Sequence, residues 1–199
     1  MACLQTNPPP TMAEAVFARA ALRGALGGLA GAAVMTAAEK VEQRLSGRPN
    51  SYVPARTLAR LLRLSSPDDD RWTRNMAMHY GTGALAGALR GVMAASNLRG
   101  PLASLMHTEL RLSVDQTLEN ATGVGAPPWT WPRDELAIDV LHKAIYAQVT
   151  GAVTDALVAP APSSSATRLP LGRRVKGRAY GDHPQQHRYR QGSGRLVHR

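Results

Sequence analysis

The chain has 199 residues, one cysteine and a formal net charge of +10. That length fits one domain with an extension, and a single cysteine excludes a fold held by intrachain disulfides. The charge is uneven, because residues 163–199 contain nine Lys or Arg and one acid, whereas residues 1–162 contain 15 bases and 13 acids. The net charge therefore describes the C-terminal tail and does not indicate a nucleic-acid-binding fold.

The first predicted helix follows a polar, proline-rich N-terminus. Residues 1–10 lack the basic and apolar segments of a secretory signal, so we expect a disordered start and a protein that is not secreted. Thr11 and Glu14 have the spacing of a capping box, which predicts a helix over 12–45. Gly47 and Pro49 are expected to end it.

Further start and stop signals predict four more helices. A short helix is expected from Pro54, and a third over 67–97, with Ser66 as N-cap and three aspartates in its first turn. A fourth is expected over 101–120 and a fifth over 134–158. No segment shows strand alternation. The sequence therefore predicts an all-α bundle of four main helices plus one short helix over 11–159. A Pro/Ser linker and a basic disordered tail over 160–199 are expected to follow it.

Glycines recur at helical spacing on three of these helices. They are Gly24, Gly27, Gly28 and Gly31 on the first, Gly83, Gly87 and Gly91 on the third, and Gly151 on the last. Residues four apart share one face, and a row of glycines lets another helix approach closely. Glycine costs about 1 kcal/mol relative to alanine in a water-exposed helix, but membrane helices use it for association. The pattern favours a membrane-associated bundle that acts by helix packing or self-association.

A soluble, cytoplasmic α-helical interaction module is the alternative. The longest uncharged stretches of the first and third helices have 15 residues each, whereas a spanning helix needs about 20. The fourth helix carries five titratable residues and is not expected to span a bilayer alone. These counts leave both a membrane and a cytoplasmic location open.

Three short motifs accompany the Gly/Ala-rich helices. The first helix ends in Ala-Ala-Glu-Lys-Val-Glu at 37–42, His-Tyr-Gly-Thr-Gly at 79–83 lies near the start of the third, and Pro-Pro-Trp at 127–129 precedes the last. On these motifs, residues 28–158 resemble small uncharacterised helical membrane proteins of microbes. The resemblance implies an integral-membrane location, and it implies no activity and no catalytic residue.

Polar residues inside the helices are the remaining candidates for a site, namely His79, His107, Asp115, Asp139 and His142. His107 and Asp115 form a ridge with Arg111 and Glu119 at a spacing of four, and Asp139 can pair with Lys143. A di-iron bundle uses two Glu-x-x-His elements and two further glutamates, whereas this chain has one Asp-x-x-His, at 139–142. A carboxylate–histidine metal enzyme is therefore a second alternative. We assign no catalytic residue, cofactor or metal ligand, because no phosphate-binding, dinucleotide or nucleophile motif is present.

The expected partners follow from the helices and from the tail. A lipid bilayer or its surface is the main one, and a homo-oligomer could form through the glycine faces. The net charge of +8 over 163–199 can attract RNA, DNA or anionic lipid headgroups without sequence specificity. No specific nucleic acid is predicted, because the tail contains no recognition module.

Overall fold

The computed structural model describes residues 11–66 and 69–160. Within these ranges the predicted all-α class is confirmed, since the chain forms helices and no strand. The helices are α1 (Met12–Ser46), α2 (Val53–Leu61), α3 (Arg71–Ala95), α4 (Gly100–Ala121) and α5 (Arg133–Leu157), with a short 3-10 turn at Pro128–Thr130 before α5. The predicted N-terminal disorder over 1–10 and, apart from Pro160, the predicted linker and tail over 160–199 lie outside the described residues.

The predicted start of α1 is confirmed at atomic detail. Thr11 Oγ1 accepts a hydrogen bond from the Glu14 N–H at 3.3 Å, and the Glu14 carboxylate accepts one from the Thr11 N–H at 2.6 Å. These two bonds satisfy backbone donors that have no partner within the helix. At the other end Gly47 adopts φ +73°, a left-handed conformation that suits glycine and stops the helix.

The predicted start of α3 at residue 67 is wrong. The helix begins at Arg71, and Asp70 precedes it with φ +46°, in the left-handed region. A left-handed residue cannot belong to a right-handed helix, so residues 69–70 form a turn instead. Aspartate is one of the few residues apart from glycine that tolerate this conformation.

The glycine faces of α1 and α3 lie against each other inside the bundle. A Cβ placed on Gly24 would lie 2.6 Å from the Cα of Gly91, and one on Gly28 would lie 2.9 Å from the Cα of Gly87. The numbering rises along one helix as it falls along the other, so α1 and α3 are antiparallel. Only residues without a side chain permit such an approach.

The second glycine face of α1 packs against α5. Gly27 contacts Thr154, and Gly31 contacts Thr150 and Tyr146, while Gly151 of α5 contacts Ser104 of α4. Both glycine faces of α1 are therefore occupied by helices of the same chain. This arrangement removes them from the surface that a second copy would meet.

Large apolar side chains lie on the outside of the bundle and small or polar ones lie inside. The largest fully buried side chains are Arg90, Tyr146, His107, Thr57, Thr150 and Thr154. The buried apolar residues are mostly alanines, whereas Leu22, Leu26, Leu85, Leu102 and Leu105 are exposed. Large apolar side chains fill the core of most water-soluble proteins, whereas alanines and polar side chains take up most of the interior here.

Candidate functional site

A cavity of about 360 Å³, lined by both apolar and titratable side chains, lies at the end of the bundle where α1 and α4 finish and α3 and α5 begin. Five carboxylates line it: Glu39, Asp115, Glu119, Glu135 and Asp139. Three cations and two histidines line it as well: Arg48, Arg111, Lys143, His79 and His142. Its volume falls at the lower end of the range of about 300–1,000 Å³ for small-molecule sites.

One buried ion network forms the inner wall of the cavity. The Arg111 Nε donates to Asp115 Oδ2 at 2.9 Å, and the Arg111 Nη2 donates to Thr82 Oγ1 at 2.8 Å. The Lys143 ammonium lies 3.7 Å from the same Asp115 oxygen and forms the predicted pair with Asp139, which is thereby confirmed. The network ties α3, α4 and α5 together and fixes the guanidinium, whose side chain is only 4% exposed.

Three buried polar atoms around the cavity have no hydrogen-bond partner among the described residues. They are Arg111 Nη1, Asp139 Oδ2 and Thr57 Oγ1. A buried donor or acceptor without a partner costs about 1–3 kcal/mol, and more when it belongs to a charged group. A polar molecule in the cavity can therefore gain bonds that the protein itself leaves unmade.

Glu119 is the carboxyl of this cavity with the most altered acidity. It lies near the C-terminal end of α4. Its pKa is raised to about 7, mainly by burial and in smaller part by the nearby Asp115 and Asp139, while Lys143 and Arg111 act in the opposite direction. A carboxyl of this kind exchanges its proton near neutral pH.

A second set of polar contacts continues from the cavity into the bundle. Arg111 lies over the Tyr146 ring, with its Cζ 5.0 Å from the ring centroid, and the Tyr146 hydroxyl donates to the Gly83 carbonyl at 2.6 Å. His107 follows, with its ring centroid 5.6 Å from that of Tyr146, and its Nε2 donates to the Ala86 carbonyl at 3.0 Å. The polar ridge of α4 thus faces the interior of the bundle.

The opposite end of the bundle contains a separate ion pair. Arg90, whose side chain is fully buried, donates to Asp155 Oδ2 at 2.9 Å. The same oxygen accepts from the Gly100 N–H at 2.8 Å, and Arg99 donates to the Val158 carbonyl at 2.8 Å. These bonds connect the end of α3 and the start of α4 to the end of α5.

The structure brings four of the five predicted polar site residues to one place. His79, Asp115, Asp139 and His142 line the cavity, whereas His107 lies deeper in the bundle. Arg90, Thr57 and Asp155 were not predicted as site residues from the sequence. Asp155 had a readable signal, because it follows Ala147 and Gly151 at a spacing of four and so lies on the packed face of α5.

Neither a metal site nor a known relative explains the cavity. Over 11–66 and 69–160, no group of three or more His, Cys, Asp or Glu side chains is arranged to hold a metal ion. By length and mean hydropathy, α1 is the one helix in these ranges that could cross a membrane. Comparison with protein-family models, curated proteins and solved structures finds no match to this chain.

Proposed function

We propose that this protein is an integral membrane protein, a helical bundle with lipid against its outer apolar faces and polar groups in its interior. The observation that carries the proposal is the inverted distribution of side chains, with leucines outside and Arg90, His107 and Arg111 inside. Leucine side chains on the outer faces are favourable in contact with lipid. Charged residues of membrane helices commonly face the interior of the bundle and pair with one another there.

The outward-facing side chains of the helices support spans of membrane length. Across 75–95 of α3 and 136–154 of α5, stretches of 21 and 19 residues, no exposed side chain is charged. Both stretches have close to the length of about 20 residues that is needed to cross the hydrocarbon core. Across 100–118 of α4 the one exposed charge is Glu109, because Arg111 and Asp115 face inward.

Helix α1 has a shorter apolar section than α3. Between the exposed Arg23 and Lys40 its 16 residues expose Leu26, Leu29, Val34 and two alanines. At 1.5 Å per residue this section is about 24 Å long. Long basic side chains at both ends can extend to the headgroups, which adds to the length that the helix can span.

Average hydropathy does not detect α3, α4 and α5 as spans because it counts inward and outward charges alike. The charges of α4 that weigh most against a span, Arg111 and Asp115, are paired with each other inside the bundle. The same reasoning weakens the argument for a soluble module, which rests on short uncharged stretches. A soluble bundle would also expose Leu22, Leu85 and Leu102 to water.

The test is fractionation of cells that express the full-length chain, followed by extraction of the membranes with alkaline carbonate. We expect the protein to stay in the extracted membrane pellet and to need detergent for release. A protein that remains in the soluble fraction without detergent would refute the proposal and leave the soluble interaction module.

A substitution on the outer face sharpens this test. Leu85, 75% exposed in the middle of α3, is replaced by lysine, and Leu45, 84% exposed near the end of α1 and outside its apolar section, serves as the matched control. Lysine at the centre of a span costs about 2.5–3.5 kcal/mol. Leu85→Lys should therefore reduce the inserted fraction, while Leu45→Lys should leave it unchanged. If both variants behave like the wild type, Leu85 faces water.

A further inference from the structure

Two residues that line the cavity at the end of the bundle each have one buried polar atom without a hydrogen-bond partner, and the two groups carry opposite charges. Arg111 Nη1 is a cationic donor and Asp139 Oδ2 is an anionic acceptor, and both are buried without a partner among the described residues. We propose that this cavity binds a small zwitterion, a molecule with a carboxylate and an ammonium group, of which an α-amino acid is the simplest example.

Arg111 is suited to receive the carboxylate. Its Nε and Nη2 are held by Asp115 and Thr82, so the guanidinium is fixed before a ligand arrives and Nη1 remains free. Guanidinium and carboxylate form strong charge-assisted hydrogen bonds, and a fixed donor loses little conformational entropy on binding. A ligand carboxylate would satisfy this buried donor.

Asp139 and Glu119 are suited to receive the ammonium group. Asp139 uses Oδ1 for Lys143, leaves Oδ2 without a partner among the described residues, and lines the cavity. Glu119 lines the same cavity, and its acidity responds to Asp115 and Asp139, so these carboxylates lie within electrostatic reach of one another. An ammonium group has three donors to distribute among such oxygens.

The charge of the lining predicts which zwitterions bind best. The lining holds five carboxylates and three cations, and one of the cations, Arg48, forms its ion pair with Glu42, which is not part of the lining. The excess of carboxylates disfavours ligands with net negative charge. Among amino acids we therefore expect lysine and arginine to bind more tightly than alanine, and aspartate and glutamate to bind most weakly.

This inference concerns the interior of the bundle and does not depend on where the protein resides. Binding is measured on the purified full-length chain, in detergent if it needs detergent and in buffer if it does not. A soluble protein that binds amino acids would refute the proposed location and keep the site. A membrane protein that binds no amino acid would keep the proposed location and refute the proposed site.

The experiment is isothermal titration calorimetry with each of the twenty standard amino acids at millimolar concentrations. Two derivatives separate the charges: L-lysinamide lacks the carboxylate, and Nα-acetyl-L-lysine lacks the α-ammonium group. We expect L-lysine to bind and each derivative to bind at least about tenfold more weakly, as expected for the loss of one buried charged contact. No binding by any amino acid, or equal binding of L-lysine and L-lysinamide, would overturn the proposal.

Two variants and a matched control assign the site to the cavity. Asp139→Asn should weaken L-lysine binding by about tenfold or more, because it removes a negative charge from the ammonium position, and Glu119→Gln should do the same at pH 8, where the Glu119 carboxyl is ionised. Glu109→Gln, an exposed position on the same helix as Glu119, should bind as the wild type does. Circular dichroism identifies variants that fail to fold, and Glu119→Gln remains decisive if Asp139→Asn does not fold. Unchanged binding in a folded Glu119→Gln protein would place the ligand elsewhere and refute the assignment.

Discussion

Gly28 and Gly87 are in direct backbone contact, so that a Cβ added to Gly87 would lie 2.6 Å from the Cα of Gly28. The neighbouring contacts, Gly24 with Gly91 and Gly28 with Gly83, repeat the geometry along the two helices. A contact made by backbone alone has no flexible atom that could move aside. The α1–α3 interface is therefore the part of the fold that is most sensitive to an added methyl group.

The first prediction concerns this interface. Gly87→Ala should lower the thermal unfolding midpoint severely, because the added Cβ collides with the backbone of α1, and Gly87→Leu should prevent folding. The control is Gly81→Ala, since Gly81 is on the same helix and has open space around its Cβ position. That control should gain up to about 1 kcal/mol from helix propensity. Equal unfolding midpoints for the two alanine variants would contradict the close contact.

The second prediction concerns the ion pair at the opposite end of the bundle. Asp155→Ala should reduce the free energy of unfolding by about 3 kcal/mol, because it leaves the buried Arg90 cation without its partner. It also removes the acceptor of the Gly100 N–H. Chemical unfolding of the purified protein measures the change, and Glu109→Ala at an exposed position should change it little.

A double variant separates the loss of the pair from the loss of packing. Arg90→Met combined with Asp155→Leu removes both charges of the buried pair and leaves only the partly exposed Arg99 without its carboxylate partner, so it should be more stable than Asp155→Ala alone. If the double variant is less stable than Asp155→Ala, the ion pair contributes net stabilisation that apolar contacts cannot replace.

The helices could be predicted from the sequence because their start and stop signals are local. The capping box of Thr11 and Glu14 and the left-handed Gly47 involve residues within one turn of each helix end. The start of α3 could not be predicted in this way, because a run of three aspartates does not indicate that Asp70 adopts a positive φ. Ser66, Pro67 and the aspartates have the composition of a helix start, but the helix begins at Arg71.

The candidate site could be predicted in part. The spacing of four identified the polar ridge of α4, which includes Arg111 and Asp115, and the pair of Asp139 with Lys143. Spacing does not say whether a polar face meets water or another helix, because that depends on which helices pack together. The contact of Arg111 with Thr82 joins residues 29 positions apart, and no local pattern contains it.

The third prediction concerns residues 163–199, which lie outside the described residues. Deleting them should leave the helical circular dichroism spectrum unchanged and remove most salt-sensitive binding to heparin, because this segment holds most of the net charge. A full-length variant in which Arg173, Arg174, Lys176 and Arg178 are replaced by glutamine should bind heparin with intermediate affinity. Loss of helical signal on deletion would show that these residues contribute to the helical fold. Undiminished heparin binding would show that the charge of the tail is not what binds heparin.

The last prediction follows from the raised pKa of Glu119, about 7 instead of its ordinary 4.5. Between these two values the folded protein retains a proton on Glu119 that the unfolded chain has released. The free energy of unfolding should therefore fall as the pH rises through this window, by up to about 3 kcal/mol. Glu119→Gln has no proton to lose, so it should flatten this dependence and exceed the wild type in stability at pH 8. Thermal unfolding across the window, with Glu109→Gln as the exposed control, measures the difference. Parallel curves for the wild type and Glu119→Gln would show that Glu119 is ionised in the folded protein at lower pH, in conflict with its buried position.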